Sequence, residues 1–369
     1  MKNILLLTMM LCASTTFATV RTVSNQTPNP GQYTTIQAAI NAANAGDTVY
    51  VHGSSVYYSN FTLNKQLTII GTGFLPQSSN PTNAYSIISG GFLTINGTAS
   101  GSRITGLYFS GASILIQANM HDIIISRCQF DGSGNSGSAL EFGADNYNMT
   151  ISENIFFEGG IGYGISTYTT IGTPHDFLIT NNIFRTIGGK AFHYWPVVTN
   201  VIVSNNLFYG NGSTNIANGY AQGLTFTNNI FNKVAFAGVS SCTFSNNLTN
   251  LCNGNTPWVN NGTDLGVPAL GTQNIAATSP NFIYQTNIDA GSYWSSTNFS
   301  TYYAVNPGSP TLSSMAGDPD MGPYGGSGSY DFRKASASTL PYVYSLSIGN
   351  PTIQSGTNLN INVIGKKHD

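Results

Sequence analysis

The chain has 369 residues, of which only 7% are charged, and a formal net charge of −2. That balance lacks the basic footprint of a nucleic-acid binder and the single-sign run of a disordered acidic tail. Its 41 glycines, 20 tyrosines and 20 phenylalanines fit a protein built from turns and pleated strands.

Residues 1–18, MKNILLLTMMLCASTTFA, read as a signal peptide: Lys2, the apolar segment Ile4–Ala13, and a small-x-small cleavage site at Thr16-Phe-Ala18. A lipoprotein reading through Cys12 is opposed by Leu11, where a small residue is needed. No later apolar run is long enough to span a bilayer. The mature chain is therefore expected to be secreted or at the cell surface, in the periplasm or outside the cell, where disulfides are permitted. Cys242 and Cys252 are spaced to close a short one, with the free pair as the alternative; Cys128 reads as a small buried apolar residue.

Residues 33–46 predict an amphipathic helix. Ile36, Ala39, Ile40 and Ala43 share a face, Thr34 or Thr35 can cap it, and Gly46 can end it. Such a helix would cover the open end of whatever stack follows. Asp47–Gly53 and Gln66–Gly73 then read as strands.

Residues 149–248 repeat one phrase five times: Met149-Thr-Ile-Ser-Glu-Asn154-Ile-Phe156, Leu178-Ile-Thr-Asn-Asn182-Ile-Phe184, Ile202-Val-Ser-Asn-Asn206-Leu-Phe208, Thr225-Phe-Thr-Asn-Asn229-Ile-Phe231 and Thr243-Phe-Ser-Asn-Asn247-Leu248. Two degenerate copies precede them, with Cys128 and Leu107 at the place of the second Asn. The Ser/Thr of the copies falls at 105, 126, 152, 180, 204, 227 and 245, spaced 18 to 28 residues apart. A period in this range marks a solenoid. Each unit reads as strand, bend, strand, with no helical period between copies. Stacked coils would bring Asn154, Asn182, Asn206, Asn229 and Asn247 into an asparagine ladder, each amide donating to one neighbour and accepting from the other. Phe109, Phe130, Phe156, Phe184, Phe208 and Phe231 would form a parallel aromatic stack.

This repeat, together with Thr35-Ile-Gln37…Gly46-Asp-Thr-Val49…Leu67-Thr-Ile-Ile-Gly71 at its entry, resembles the pectin-lyase-like superfamily of right-handed parallel β-helices. Pro307-Gly-Ser-Pro310 and Gly317–Gly326 resemble the closing phrase of its secreted bacterial members. The resemblance implies a parallel β-helix over 19–325, with irregular last coils after Asn247. Residues 326–341 read as a Gly/Ser-rich linker and 342–369 as a short C-terminal β-hairpin, too small to stand alone and available to a protein partner.

Registering the copies defines two outward columns. One follows the Phe: Asp131, Phe157, Arg185, Tyr209, Asn232. The other lies on the next strand: Glu141, Ser166, His193, Ala217, Ala237. Around them gather Asp131, Glu141, Glu158, His175, Tyr168, Tyr194 and Trp195 as candidate substrate-binding residues. Arg185, Lys190 and His193 are the catalytic candidates. Elimination on a uronic-acid polymer needs a cation to neutralise the carboxylate and a base for the C5 proton; Arg185 or Lys190 suits the first role, His193 or Lys190 the second. Aromatic rings offer stacking platforms for sugars. Hydrolysis needs two carboxylates about 5–9.5 Å apart across the scissile bond, and the polygalacturonase phrases N-T-D, D-D, G-H-G and R-I-K are missing. The pectin methylesterase pattern and the calcium-binding aspartates of pectate lyases have no match either. Asp318-Pro-Asp320 supplies too few carboxylates for a calcium ion, so no metal or cofactor is expected. The sequence points to polysaccharide recognition, with a polysaccharide lyase and a structural or adhesive surface protein as alternatives.

Overall fold

Each copy of the repeated phrase pairs in parallel with the copies on either side. Thr150, Ile151 and Ser152 lie opposite Ile124, Ile125 and Ser126 on one flank and Leu178, Ile179 and Thr180 on the other. After the bend, Phe109, Phe130, Phe156, Phe184, Phe208 and Phe231 fall in one register. A further set of strands aligns Leu140, Ile161, Phe192 and Ala217. The computed structural model is thus a parallel β-solenoid. It describes residues 18–26, 31–73, 85–131, 138–157, 160–163, 172, 174–185, 190–236, 238–252, 321–323, 325–326, 342–348 and 361–366.

The core follows from the period of two. Ile104, Ile125, Ile151, Ile179, Val203, Phe226 and Phe244 point inward and are at most 2% exposed. The six phenylalanines after the bend stack with ring centroids 4.7–5.0 Å apart and planes within 11° of parallel. That distance is the strand spacing itself, so one ring per coil fills the interior without voids.

The bend has two parts. The residue before the buried asparagine is left-handed in every coil: Gly106 (φ 72°), Arg127 (53°), Glu153 (60°), Asn181 (56°), Asn205 (55°), Asn228 (56°) and Asn246 (52°). Asn and Gly tolerate this region best, which accounts for the first Asn of each Asn-Asn pair. The second Asn is wholly buried. Asn154, Asn182, Asn206 and Asn229 each donate from Nδ2 to Oδ1 of the next coil's asparagine at 3.0 Å, and their backbone N–H groups reach the same oxygens at 2.8–2.9 Å. At one end the Cys128 N–H donates to Asn154 Oδ1 at 2.9 Å. Arg127 and Glu153, neighbours in the left-handed column, pair at 2.6 Å.

The helix covers Ile36–Ala42, shorter than residues 33–46. Thr35 is the cap, accepting from the Ala38 N–H, and Ile36, Ala39 and Ile40 are buried. Ala43 turns extended and closes the helix onto Ile40 O, before Gly46 is reached. The described residues of the closing phrase, 321–323 and 325–326, meet the left-handed column. Gly322 N–H donates to Asn228 O at 2.8 Å, and Asn181 Nδ2 donates to Pro323 O at 3.1 Å and Gly325 O at 2.9 Å. The chain therefore returns across the left-handed column from the coil of Asn228 to that of Asn181. Tyr342–Ile348 and Ile361–Lys366 form an antiparallel pair.

Cys242 and Cys252 are free thiols. They flank opposite ends of the strand pair Thr243–Ser245 and Leu248–Asn250, and their Sγ atoms donate instead to Ala221 O at 3.4 Å and Phe231 O at 3.3 Å. Residues 1–17, 253–320 and the linker beyond residue 326 lie outside the described residues.

Candidate functional site

The column after the stacked phenylalanines runs Ser110, Asp131, Phe157, Arg185, Tyr209 and Asn232, rung over rung. Alternation places it outside the core. Phe157, Tyr209 and Asn232 are nevertheless buried, Asp131 is exposed, and Arg185 is intermediate. The solvent-facing groups of the column are therefore Asp131 and, in part, Arg185. Arg185 leans toward the preceding coil, with its guanidinium carbon 5.2 Å from the centroid of the Phe157 ring, a cation–π geometry. Asp131 Oδ2 accepts from the Tyr108 hydroxyl at 2.8 Å. Burial, then the bond to Asp131, push the Tyr108 phenol well above its usual range.

Across the corner, the second column runs Leu115, Glu141, Gly162, His193 and Asn218. Glu141 and His193 share it, but Gly162 stands between them rather than Ser166, and Asn218 rather than Ala217 follows. The core decides this register. Ile161, fully buried, fills the inward slot between Leu140 and Phe192, and Ala217 is itself buried opposite Phe192. Ser166 and Ala237 lie outside the described residues.

Glu141 is 2% exposed, and among the described residues neither of its carboxylate oxygens has a hydrogen-bond partner; His193 is intermediate in exposure, with a buried Nε2 that has none among them either. Both strands lie about 9.6 Å apart, two rungs, and glycine places no side chain in the gap. Burial raises the Glu141 carboxyl to about 7. Burial first, then the charge of Lys190, lower the His193 imidazole, against a backbone hydrogen bond at Lys190. His193 is thus a neutral base at neutral pH, beside an acid that retains its proton up to about the same pH.

The other expected residues divide. Lys190 lies beside His193, whereas Arg185 occupies the neighbouring column against Phe157. His175 is drawn to a different corner. Its ring stacks on Tyr147 at 5.2 Å, Tyr147 stacks on His121 at 4.8 Å, and its Nδ1 meets Asp176 Oδ2 at 2.7 Å. Trp195 is wholly buried between Phe177 and Phe192, with Nε1 donating to Ile161 O at 2.9 Å; it is core and offers no sugar platform. Tyr194 lies on the strand Phe192–Ser204, with only its backbone described. Glu158 and Tyr168 lie outside the described residues. Tyr108 was not anticipated, although its place immediately before Phe109 in a degenerate copy puts it beside the Asp131 column.

No family model and no curated protein matches this chain. Among solved structures it is similar to an alginate lyase from Paenibacillus sp. str. FPU-7. The sequences are 15% identical, and the match covers 70% of this chain and 98% of that one at a TM-score of 0.47. A likeness this distant says nothing of chemistry.

Chemically, the corner offers a guanidinium on an aromatic face, an exposed carboxylate, and a buried acid and base in one column. Among the described residues no three His, Cys, Asp or Glu side chains gather to hold a metal ion, and no helix is long and apolar enough to cross a membrane.

Proposed function

We propose that this chain is an exported β-helix protein of the pectin-lyase-like kind that recognises polysaccharide along the flank of its solenoid. The observation that carries this reading is the column Asp131–Phe157–Arg185. An exposed carboxylate and, two rungs on, a guanidinium laid over the buried Phe157 ring stand on an otherwise charge-poor surface. Such a pair meets a polymer of hydroxyl-bearing or acidic rings through hydrogen bonds and charge at successive units. Export is supported by the segment Lys2–Ala18 alone. The test is retardation of the mature protein in native gels cast with neutral and uronic-acid polysaccharides. Retardation by at least one polymer is expected, and migration unaffected by all of them would sink the reading.

A second reading is a lyase, favoured by the neutral His193 next to Lys190. There the His193 imidazole takes the C5 proton of a uronic unit, the C4–C5 double bond forms as the C4–O4 bond breaks, O4 leaves as a hydroxyl by taking a proton from water, and Lys190 balances the carboxylate charge. Release of products absorbing as unsaturated uronates, lost in His193→Ala, would establish it. No such absorbance from any polymer that retards the protein would leave binding alone.

A further inference from the structure

The column that carries Asp131 and Arg185 does not begin at Asp131. Its rungs run Ser59, Ser89, Ser110, Asp131, Phe157 and Arg185 in unbroken parallel register. Five strand spacings cover about 24 Å. At the Ser59 end lies a cavity of about 450 Å³, lined among others by Asn25, Gln37, Tyr57, Tyr58, Ser59 and Asn60. Its size is that of a small-ligand site.

None of the lining residues is charged, so the cavity has no anchor for a carboxylate or phosphate. It does have the groups that meet an uncharged sugar. Tyr57 is 54% exposed and presents an aromatic ring for stacking. The side chains of Ser59 and Asn60 make no hydrogen bond among the described residues. The rest of the wall is held in place. Gln37 Oε1 accepts from the Thr62 N–H at 2.8 Å, and its Nε2 donates to Asn41 Oδ1 at 3.0 Å. Asn25 Nδ2 donates to Val56 O at 3.1 Å, and Asn25 Oδ1 accepts from the Ser54 hydroxyl at 2.5 Å. Tyr58, buried, ties its hydroxyl to His52 O at 2.9 Å and so anchors the segment that displays Tyr57. Gly91, at φ 70°, has no Cβ where the Asn60 amide sits: a methyl there would lie 2.5 Å from Asn60 Nδ2.

Aromatic rings fill the interval between cavity and Asp131. Tyr85 meets Tyr108 edge-on with centroids 5.5 Å apart. After burial and Asp131, the phenols of Tyr57 and Tyr85 add to the upward shift of Tyr108; the three hydroxyls therefore lie within electrostatic reach of one another.

We propose that one polysaccharide chain lies along this column, parallel to the solenoid axis, with an uncharged sugar ring seated on Tyr57 in the Asn25–Asn60 cavity and the following units crossing Tyr108 and Asp131 to Arg185. The inference rests on the polysaccharide reading above and adds to it a direction, a length and a terminal subsite for a neutral sugar.

The experiment measures affinity, in gels and by calorimetry, for the retarding polymer and for a length series of its oligosaccharides. The proteins are wild type, Tyr57→Ala and Asn60→Ala, with melting temperatures as the folding control. Tyr57→Ala should weaken polymer binding about ten-fold and Asn60→Ala several-fold. Wild-type affinity should rise with oligosaccharide length until the chain spans about 24 Å and then level off. If the polymer binds wild type and both variants equally, the subsite is wrong while polysaccharide recognition stands. If wild type binds no polymer, both fall together.

Discussion

Asn206 Oδ1 accepts two hydrogen bonds from Asn182, one from the backbone N–H at 2.8 Å and one from the side-chain amide at 3.0 Å. Its own amide donates to Asn229 Oδ1 at 3.0 Å and to Ile179 O and Ser204 O at 2.9 Å. The position is at once an acceptor for one coil and a donor to the next, in a site with no water contact. Asn206→Ala would strand the Asn182 backbone N–H, leave the Asn182 amide only Ile151 O and Thr180 O, and remove a donor to the Ile179 carbonyl. The expected loss is about 3 kcal/mol, read from denaturant unfolding. A loss below about 0.5 kcal/mol would show that these bonds do not carry the bend.

Glu141 gives the fold a pH dependence of definite sign. Burial raises its folded carboxyl to about 7, against 4.5 for an exposed glutamate. Between these values the folded chain keeps a proton that the unfolded chain has released, so stability falls as pH climbs through the window. The contribution is complete below the window and gone above it. His193 works in the opposite direction. Its folded value is lowered, so its contribution is present above 6.5 and fades as pH falls. Glu141→Gln should remove the first effect. Between about pH 4 and pH 8, wild type should lose about 3 kcal/mol relative to the variant. Parallel stability curves for the two proteins would contradict the burial argument.

Gly322 closes the return of the chain onto the solenoid. Its φ is 83°, and an added Cβ would lie 2.5 Å from Ile230 Cδ1. Gly322→Ala meets both a left-handed backbone and a packed side chain, at a cost of about 1–3 kcal/mol. Limited proteolysis should then cut after residue 252 faster in the variant than in wild type, with the repeat coils still intact. Equal cutting rates would mean that the segment is not held there.

The solenoid was legible because its stabilising residues repeat. Aligning the Asn and Phe positions gives the inward and outward columns, and the register Asp131–Phe157–Arg185 follows from spacing alone, although Phe157, Tyr209 and Asn232 in that outward column are buried. The second column was not. Between Phe157 and Ile161 the chain has only a short link, and the buried Ile161 sets the register four residues earlier than spacing against Ser166 indicated. The left-handed position was hidden in plain composition: Asn-Asn looked like one signal, but its first member answers to φ and its second to hydrogen bonding. Arg127 and Glu153 share that first position without being Asn, so no residue type marks it in every coil. Trp195 and His175 show a third limit. Proximity in sequence to Arg185 and His193 put them in the candidate site, yet a register irregularity between His193 and Trp195, which strict alternation would place on one face, leaves Trp195 in the core, and a corner carries His175 away. The return of Gly322–Gly326 depends on a contact more than 140 residues distant in sequence, which no local pattern encodes.

The most direct test of the central claim is the dissociation constant of wild type and Arg185→Ala for a polymer that retards the protein. Removing the guanidinium seated on Phe157 at the far end of the binding column should weaken binding about ten-fold or more, with Arg185→Lys restoring only part of it. Equal affinities for wild type and Arg185→Ala would place the polymer elsewhere and contradict the account.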